Sequence, residues 1–130
     1  MPPLKPDAEI RLPAEGAYVS VLRMTTAAIG ARLDFTLDDI EDLRMAVGEA
    51  CAMLLDRARP GGQLIARYEL GENRIVVQVS ADAVRPSLPE TDSFAWQVLN
   101  TAATDVEAEA GDDVLSITMS VTSTTSSTPA

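Results

Sequence analysis

The sequence of 130 residues contains no histidine and a single cysteine, Cys51. Without histidine, a conventional zinc site and a histidine-based catalytic triad are excluded, and a lone cysteine cannot form an internal disulfide. Aromatic residues make up only 4% of the chain, whereas apolar residues make up 46%. The core is therefore expected to be aliphatic, with Cys51 as a small buried filler.

Basic residues are also few, because 10 Lys and Arg stand against 20 Asp and Glu, which gives a net charge of −10. This charge repels phosphate backbones and anionic lipids and attracts basic partners. Residues 1–10 hold no apolar run typical of a signal peptide, and no run of about 18 apolar residues is present to span a bilayer. We expect a cytoplasmic protein that binds neither nucleic acid nor membranes directly.

The length fits one domain of the α+β class, a two-layer sandwich in which helices cover one face of a largely antiparallel sheet. Residues 1–7 are expected to form a flexible arm, 8–121 the single domain, and 122–130 a disordered polar tail. Predicted strands are 8–14, 63–70, 74–80 and 113–121, of which the first is an edge strand because it contains Pro13. Predicted helices are 17–33, a second one that starts after Thr36 and ends before Pro60, and 92–109.

Apolar side chains recur at helical spacing in all three predicted helices. In the first helix the expected core face consists of Val21, Met24, Ala28 and Leu33. In the second it consists of Leu43, Ala46, Val47, Ala50, Cys51, Leu54 and Ala58. In the third it consists of Phe94, Trp96, Val98, Leu99 and Ala102.

One carboxylate, Glu49, lies on the flank of the second helix's apolar face, and Met53 follows it one turn later. Residues four apart stack on the same strip of a helix, so both side chains would line a pocket beside it. Periodicity alone leaves a simpler alternative open. Glu49 would then mark the edge of the solvated side, together with Asp42 and Asp56, and Met53 would be an ordinary boundary residue.

The start of the second helix is acidic, with Asp38, Asp39 and Asp42 in its first turns. Carboxylates there favour the positive end of the helix dipole, so we interpret the run as a solvated helix start capped by Thr36. A weaker alternative is a divalent-metal site formed by the same three aspartates. We expect no metal site, because these side chains do not converge from several elements.

The segment "IEDLRMAVGEACAMLL" resembles the N-box helix of the RsbW-type anti-sigma-factor serine kinases, a branch of the GHKL ATPases. "VLRMTTAAIGARLDF" resembles the first helix of that family, and "DSFAWQVLNTAATDVEAEAGDDVLSITM" its last helix and strand, with particular similarity to the mycobacterial branch. The resemblance implies the GHKL histidine-kinase-like ATPase fold. It also implies that Glu49 matches the catalytic general base, whereas Met53 replaces the asparagine that holds magnesium, and a thioether cannot take over that role.

The nucleotide-binding boxes of the family are altered in this chain. Asp82 in "SADAVRP" matches the aspartate that contacts adenine, although no glycine follows it. The later glycine-rich box, which cradles phosphates with backbone N–H groups, corresponds to "ETDSFAW", where Glu90 and Asp92 would repel phosphate. We therefore expect a degenerate site, with no cofactor, or ATP and magnesium only if that site still binds them.

The resemblance also implies protein partners. Relatives bind a sigma factor and its antagonist through an exposed arginine on the first helix, and Arg23 falls at that position. A guanidinium is suited to bidentate pairing with a carboxylate. The leading hypothesis is an anti-sigma factor that sequesters an alternative stress-type sigma factor, is released by an anti-anti-sigma STAS protein, and forms a homodimer. The competing hypothesis is an active serine/threonine kinase that phosphorylates this antagonist.

Overall fold

The computed structural model describes residues 4–124. Its first strand, β1, is Ala8–Pro13, where apolar and polar side chains alternate and Pro13 suits an edge position. A short 3-10 helix, Gly16–Tyr18, follows it. The remaining elements are α1 (Val19–Arg32), α2 (Leu37–Leu55), β2 (Gln63–Leu70), β3 (Arg74–Asp82), α3 (Phe94–Ala102), β4 (Asp105–Ala110) and β5 (Val114–Thr122).

The strands form one sheet in the order β1-β2-β3-β5-β4, and every neighbouring pair is antiparallel. Buried side chains of adjacent strands stand opposite each other, as Leu64 does to Ala81 and Val79 to Ile117. The core lies between this inner face and the helices, of which α2 packs over β3 and β5. The predicted α+β sandwich with an antiparallel sheet is thereby confirmed. Within residues 4–124, no helix is both long and apolar enough to cross a membrane.

The third helix is shorter than predicted, because α3 ends at Ala102 and the chain turns into the edge strand β4. The prediction of a helix through residue 109 is wrong. In β4, Val106 and Ala108 are half-buried while the acidic residues that alternate with them, Asp105, Glu107 and Glu109, are exposed, which is the two-residue period of a strand. Phe94, predicted to be buried, is 81% exposed, whereas Trp96 and Leu99 do lie in the core.

The core face of α1 differs from the predicted one, and that prediction is wrong. Leu22, Thr26 and Gly30 are its buried residues, four apart along the helix. Val21, Met24 and Ala28 face solvent, and Leu33 is half-buried just beyond the helix end. The hydrophobic pattern gave the wrong core face because two of the three buried positions are a threonine and a glycine. Gly30 is closely packed, since a Cβ there would lie 3.1 Å from Ile40 Cγ1 and 3.2 Å from Leu43 Cδ1.

Thr26 connects α1 to the sheet through a buried hydrogen bond. Its hydroxyl donates to the Leu22 carbonyl at 2.7 Å, so the Tyr68 hydroxyl 2.8 Å away donates to Thr26 Oγ1. Burial raises the pKa of Tyr68, and the hydrogen bond to Thr26 opposes that rise. The pair therefore satisfies two polar groups inside an otherwise aliphatic core.

The Thr26→Val substitution is expected to lower the unfolding free energy by about 1–2 kcal/mol, because it leaves the buried Tyr68 hydroxyl without its acceptor. Denaturant unfolding followed by circular dichroism measures this change. Thr25→Val is the matched control, since Thr25 also donates to the carbonyl four residues back, at 2.9 Å, but lies on the more exposed side of α1. Equal losses in the two variants would contradict the role of the Tyr68 bond.

The apolar face of α2 is as predicted, and its buried residues are Leu43, Ala46, Val47, Ala50, Cys51 and Leu54. Burial raises the pKa of the Cys51 thiol to about 12, and the positive charge of Arg23 opposes this rise. Thr36 caps the helix, as predicted, by accepting a hydrogen bond from the Asp39 backbone N–H at 3.1 Å. The helix ends at Leu55, before the predicted end, and Ala58 then forms a bridge to Ala83.

Asp39 departs from the prediction of a solvated acidic helix start, because it is only 3% exposed. Its carboxylate accepts hydrogen bonds from the Thr124 N–H and hydroxyl, both at 2.9 Å, and from the Ser123 hydroxyl at 3.5 Å. Asp38 and Asp42 are exposed as predicted. Among residues 4–124, no group of three or more Cys, Asp or Glu side chains is placed to hold a metal ion.

Both chain ends contact the domain within the described residues. At the predicted flexible arm, the Asp7 N–H donates to the Tyr68 carbonyl at 2.7 Å, and the Asp7 carboxylate accepts from the Leu70 N–H at 2.8 Å. At the predicted tail, Thr122 belongs to β5 and Thr124 bonds to Asp39. Residues 1–3 and 125–130, which complete the predicted arm and tail, lie outside the described residues.

Candidate functional site

A cavity of about 250 Å³ lies between α1 and α2 and brings together two of the predicted site residues, Arg23 and Glu49. The side chains around it are mainly charged, with Arg23, Arg44, Glu41 and Glu49 beside Val19 and Met45. We call it the α1–α2 cavity. Its lining suits a charged or polar group of a partner rather than an apolar ligand.

Arg23 on α1 packs across α2 at Gly48. A Cβ at Gly48 would lie 3.6 Å from both Cδ and Nε of Arg23, so the arginine lies directly against the α2 backbone. The residue is exposed, and its guanidinium forms no hydrogen bond or ion pair with any residue of the described chain. Its five N–H donors are therefore available to a carboxylate from another molecule.

Arg44 is a second cation of the cavity, which the sequence analysis did not single out. Its Nη1 donates to Glu41 Oε1 at 2.9 Å, in an ion pair three residues apart on α2. Its Nε is buried and has no hydrogen-bond partner among the described residues. Arg44 therefore adds positive charge to the cavity wall, while its Nε–H is an unsatisfied buried donor.

Glu49 is half-buried in the cavity wall, and its carboxylate forms no hydrogen bond or ion pair within residues 4–124. Met53 does not line this cavity but packs against the hydrophobic core. Glu49 and Met53 thus do not share the α1–α2 cavity. Asp56, the C-cap of α2, is exposed.

Asp82 lies apart from Glu49. It follows the buried Ala81 in β3, so its side chain is on the opposite, outer face of the sheet. There its Oδ2 accepts a hydrogen bond from the Gln63 N–H at 2.8 Å, and the Asp82 carbonyl accepts from the Arg59 N–H at 2.7 Å. Asp82 thus fixes the connection between α2 and β2 and does not form one site with Glu49.

A side chain caps the N-terminus of α3, which is where the family's phosphate-binding box would lie. Ser93 is the N-cap, and its hydroxyl accepts a hydrogen bond from the Trp96 N–H at 3.1 Å. Glu90 and Asp92 are exposed in the loop before it. One of the backbone donors that would hold a phosphate is therefore satisfied internally, and two carboxylates precede the helix.

Known proteins resemble this chain along most of its length. The family model for the histidine kinase-like ATPase domain matches residues 12–120. The serine-protein kinase RsbW of Bacillus thuringiensis (strain Al Hakam) is 35% identical over 78 residues, which are 58% of this chain and 49% of the relative. The serine-protein kinase RsbW of Halalkalibacterium halodurans is 38% identical over 92 residues, which are 65% of this chain and 57% of the relative. The chain thus spans about half the length of the curated relatives it matches.

A solved structure shows the same fold. The crystal structure of the RsbU and RsbW domains of a Mycobacterium tuberculosis protein superimposes with a TM-score of 0.71 and 15% sequence identity, covering 93% of this chain and 32% of that chain. At this identity the match shows the fold alone, so the particular similarity to the mycobacterial branch stays a prediction.

Within residues 4–124, the five-stranded antiparallel sheet covered by helices on one face matches the two-layer fold of the histidine kinase-like ATPase domain. The chain belongs to the histidine kinase-like ATPase family, whose model covers residues 12–120. The curated relatives that it matches are RsbW serine-protein kinases, over about half of their length. The resemblance inferred from the α1, α2 and α3 segments is confirmed.

Proposed function

We propose that this protein is a cytoplasmic anti-sigma factor, which sequesters an alternative stress-type sigma factor by direct binding. An anti-anti-sigma protein of the STAS type would compete for the same surface and release it. The observation that carries this proposal is the unpaired guanidinium of Arg23, held against Gly48 in the α1–α2 cavity. Its chemistry suits a partner carboxylate, and the family membership makes α1 the expected docking helix.

The mechanism of inhibition would be occlusion, because a bound domain covers the sigma-factor surface that polymerase requires. The net charge of −10 favours encounter with a basic sigma-factor surface. A homodimer is part of the proposal, as in the relatives that the sequence resembles.

Affinity purification tests this proposal. Tagged protein is incubated with a lysate of the source organism at moderate salt, and the bound proteins are identified by mass spectrometry, with untagged lysate as the control. Enrichment of a sigma factor or a STAS protein supports the anti-sigma function. If neither protein is enriched, the result contradicts the sigma-factor proposal, and only the family membership still holds.

An active serine kinase is the second candidate, and the specific observation in its favour is the unpaired Glu49 carboxylate at the cavity. We propose instead that the nucleotide site is degenerate. Met53 packs against the core in the position of the magnesium ligand, Asp82 lies on the outer sheet face, and Ser93 caps α3. These residues do not supply the oxygen ligands and open backbone donors that magnesium-bound ATP requires.

Calorimetric titration with magnesium-ATP is expected to give no binding heat, because the ligands for both the metal and the phosphates are missing. The RsbW kinase of Halalkalibacterium halodurans, titrated under the same conditions, is the positive control. Clear binding by this chain, together with phosphate transfer that is lost in Glu49→Gln, would replace the binding function by the kinase function.

A further inference from the structure

A second concave surface lies on the other flank of α2, where α3 packs beside it. It encloses about 420 Å³, and its apolar side chains are Met45, Phe94, Val98 and Ala102, with Asp42 at one end. We call it the α2–α3 groove. It shares only Met45 with the α1–α2 cavity, so it presents a separate surface.

The groove carries two exposed apolar side chains, one from α2 and one from α3. Phe94 is 81% exposed and Met45 is 48% exposed, although the chain contains only two phenylalanines and the other, Phe35, is 6% exposed. An exposed aromatic side chain next to other apolar groups is typical of the anchor positions of protein interfaces.

The charge around the groove indicates which sign of charge a partner would carry there. Asp42 forms no ion pair or hydrogen bond within residues 4–124. Although Asp42 is exposed, partial desolvation raises the pKa of its carboxyl, and the nearby Asp39 and Asp38 carboxylates raise it further. A cation placed beside Asp42 would therefore be stabilised, whereas an acidic partner would be repelled.

The geometry points to a basic amphipathic helix of a partner protein as the occupant: we propose that its apolar residues contact Met45, Phe94 and Val98 while a Lys or Arg pairs with Asp42. The nine residues of α3 span about 13 Å, which matches three apolar anchors on successive turns of a docked helix. A second copy of this chain fits less well, because symmetric docking by the same face brings the acidic ends of α2 together. The inference does not depend on the partner being a sigma factor.

The test uses a fluorescent model peptide of about 18 residues, made of Leu and Lys in an amphipathic helical pattern, and a scrambled peptide of the same composition. Binding is measured by fluorescence anisotropy at about 150 mM salt, where long-range charge attraction is screened. The patterned peptide is expected to bind wild-type protein more tightly than the scrambled one. Phe94→Ser is expected to weaken this binding about tenfold, and Asp42→Asn several-fold.

Leu37→Ser is the matched control, because Leu37 is also 81% exposed but does not line the groove. It should leave peptide affinity unchanged, and thermal melts should show that all variants remain folded. Equal weakening by Phe94→Ser and Leu37→Ser would overturn the proposal, since binding would then be general attraction to exposed apolar surface. Equal affinity for the patterned and scrambled peptides would overturn it as well. Neither result tests the role of Arg23 in the α1–α2 cavity, so the two proposals are tested independently.

Discussion

Replacing Asp39 with alanine is expected to lower the unfolding free energy by about 3 kcal/mol. Asp39 is 3% exposed, and its carboxylate accepts hydrogen bonds from the Thr124 N–H and hydroxyl at 2.9 Å each, which connect the end of β5 to the start of α2. It also receives hydrogen bonds from Thr36, which completes a reciprocal helix cap. The substitution removes the cap and this tie together. Denaturant unfolding followed by circular dichroism measures the loss.

Asp38→Ala is the control for the general effect of a carboxylate at the start of α2. Asp38 occupies the same first turn but is exposed, so only its interaction with the helix dipole is lost, about 0.5 kcal/mol. A loss for Asp39→Ala no larger than that for Asp38→Ala would show that the Thr124 contacts contribute nothing to stability.

The same carboxylate gives the stability a defined dependence on pH. Burial alone would raise the pKa of Asp39, but the hydrogen bonds from Thr124 and Thr36 outweigh it and lower the pKa below 3.8. A group whose pKa is lowered in the folded state contributes its full stabilisation at any pH above its unfolded-state pKa. This contribution is lost as the pH falls through the folded-state pKa. The free-energy difference between wild type and Asp39→Ala should be constant at neutral pH and shrink below about pH 4.

Asp39 shows why the burial of a residue at the start of α2 could not be predicted from the sequence. The local signals, Thr36 followed three residues later by Asp39, correctly predicted the helix cap. The burial of Asp39 depends on Thr124, which is 85 residues away in the chain. No periodicity within one helix contains that information, so the acidic run was interpreted as wholly solvated.

Two other errors have local causes. Helix propensity favoured helix over strand in "DVEAEA", because Ala and Glu are good helix formers, yet pairing with β5 makes this segment a strand. On α1, a search for hydrophobic residues selected Met24, which is 70% exposed, instead of Thr26 and Gly30, which are buried by a hydrogen bond and by close packing. Tertiary contacts overrode the local preference in both places.

The candidate site was predicted one residue at a time. Glu49 and Arg23 were each assigned from the resemblance, but they lie on different helices, and only the packing of α1 against Gly48 shows that they line one cavity. Arg44 was missed, because an arginine three residues after a glutamate is common on a helix surface. Its buried Nε without a partner is visible only in three dimensions.

The largest functional effect is expected at Arg23. Replacing it with alanine should weaken binding of the purified sigma factor or STAS protein about 30-fold or more, because an arginine beside a helix backbone with no internal partner is typical of an interface hot spot. Arg23→Lys should bind with intermediate affinity, since lysine keeps the charge but loses the planar fork that holds a carboxylate with two hydrogen bonds. Surface plasmon resonance gives the affinities and both rate constants.

Arg74→Ala is the matched control, because Arg74 is an exposed arginine at the start of β3, outside the α1–α2 cavity. It should change affinity less than about twofold, so equal weakening by the two alanine variants would assign the effect to net charge rather than to Arg23. Salt separates the two contributions further. The association rate should fall steeply with rising salt in wild type and in Arg23→Ala alike, because the net charge of −10 drives encounter. The dissociation rate should differ between them at every salt concentration, because the close contacts of Arg23 are made only after docking.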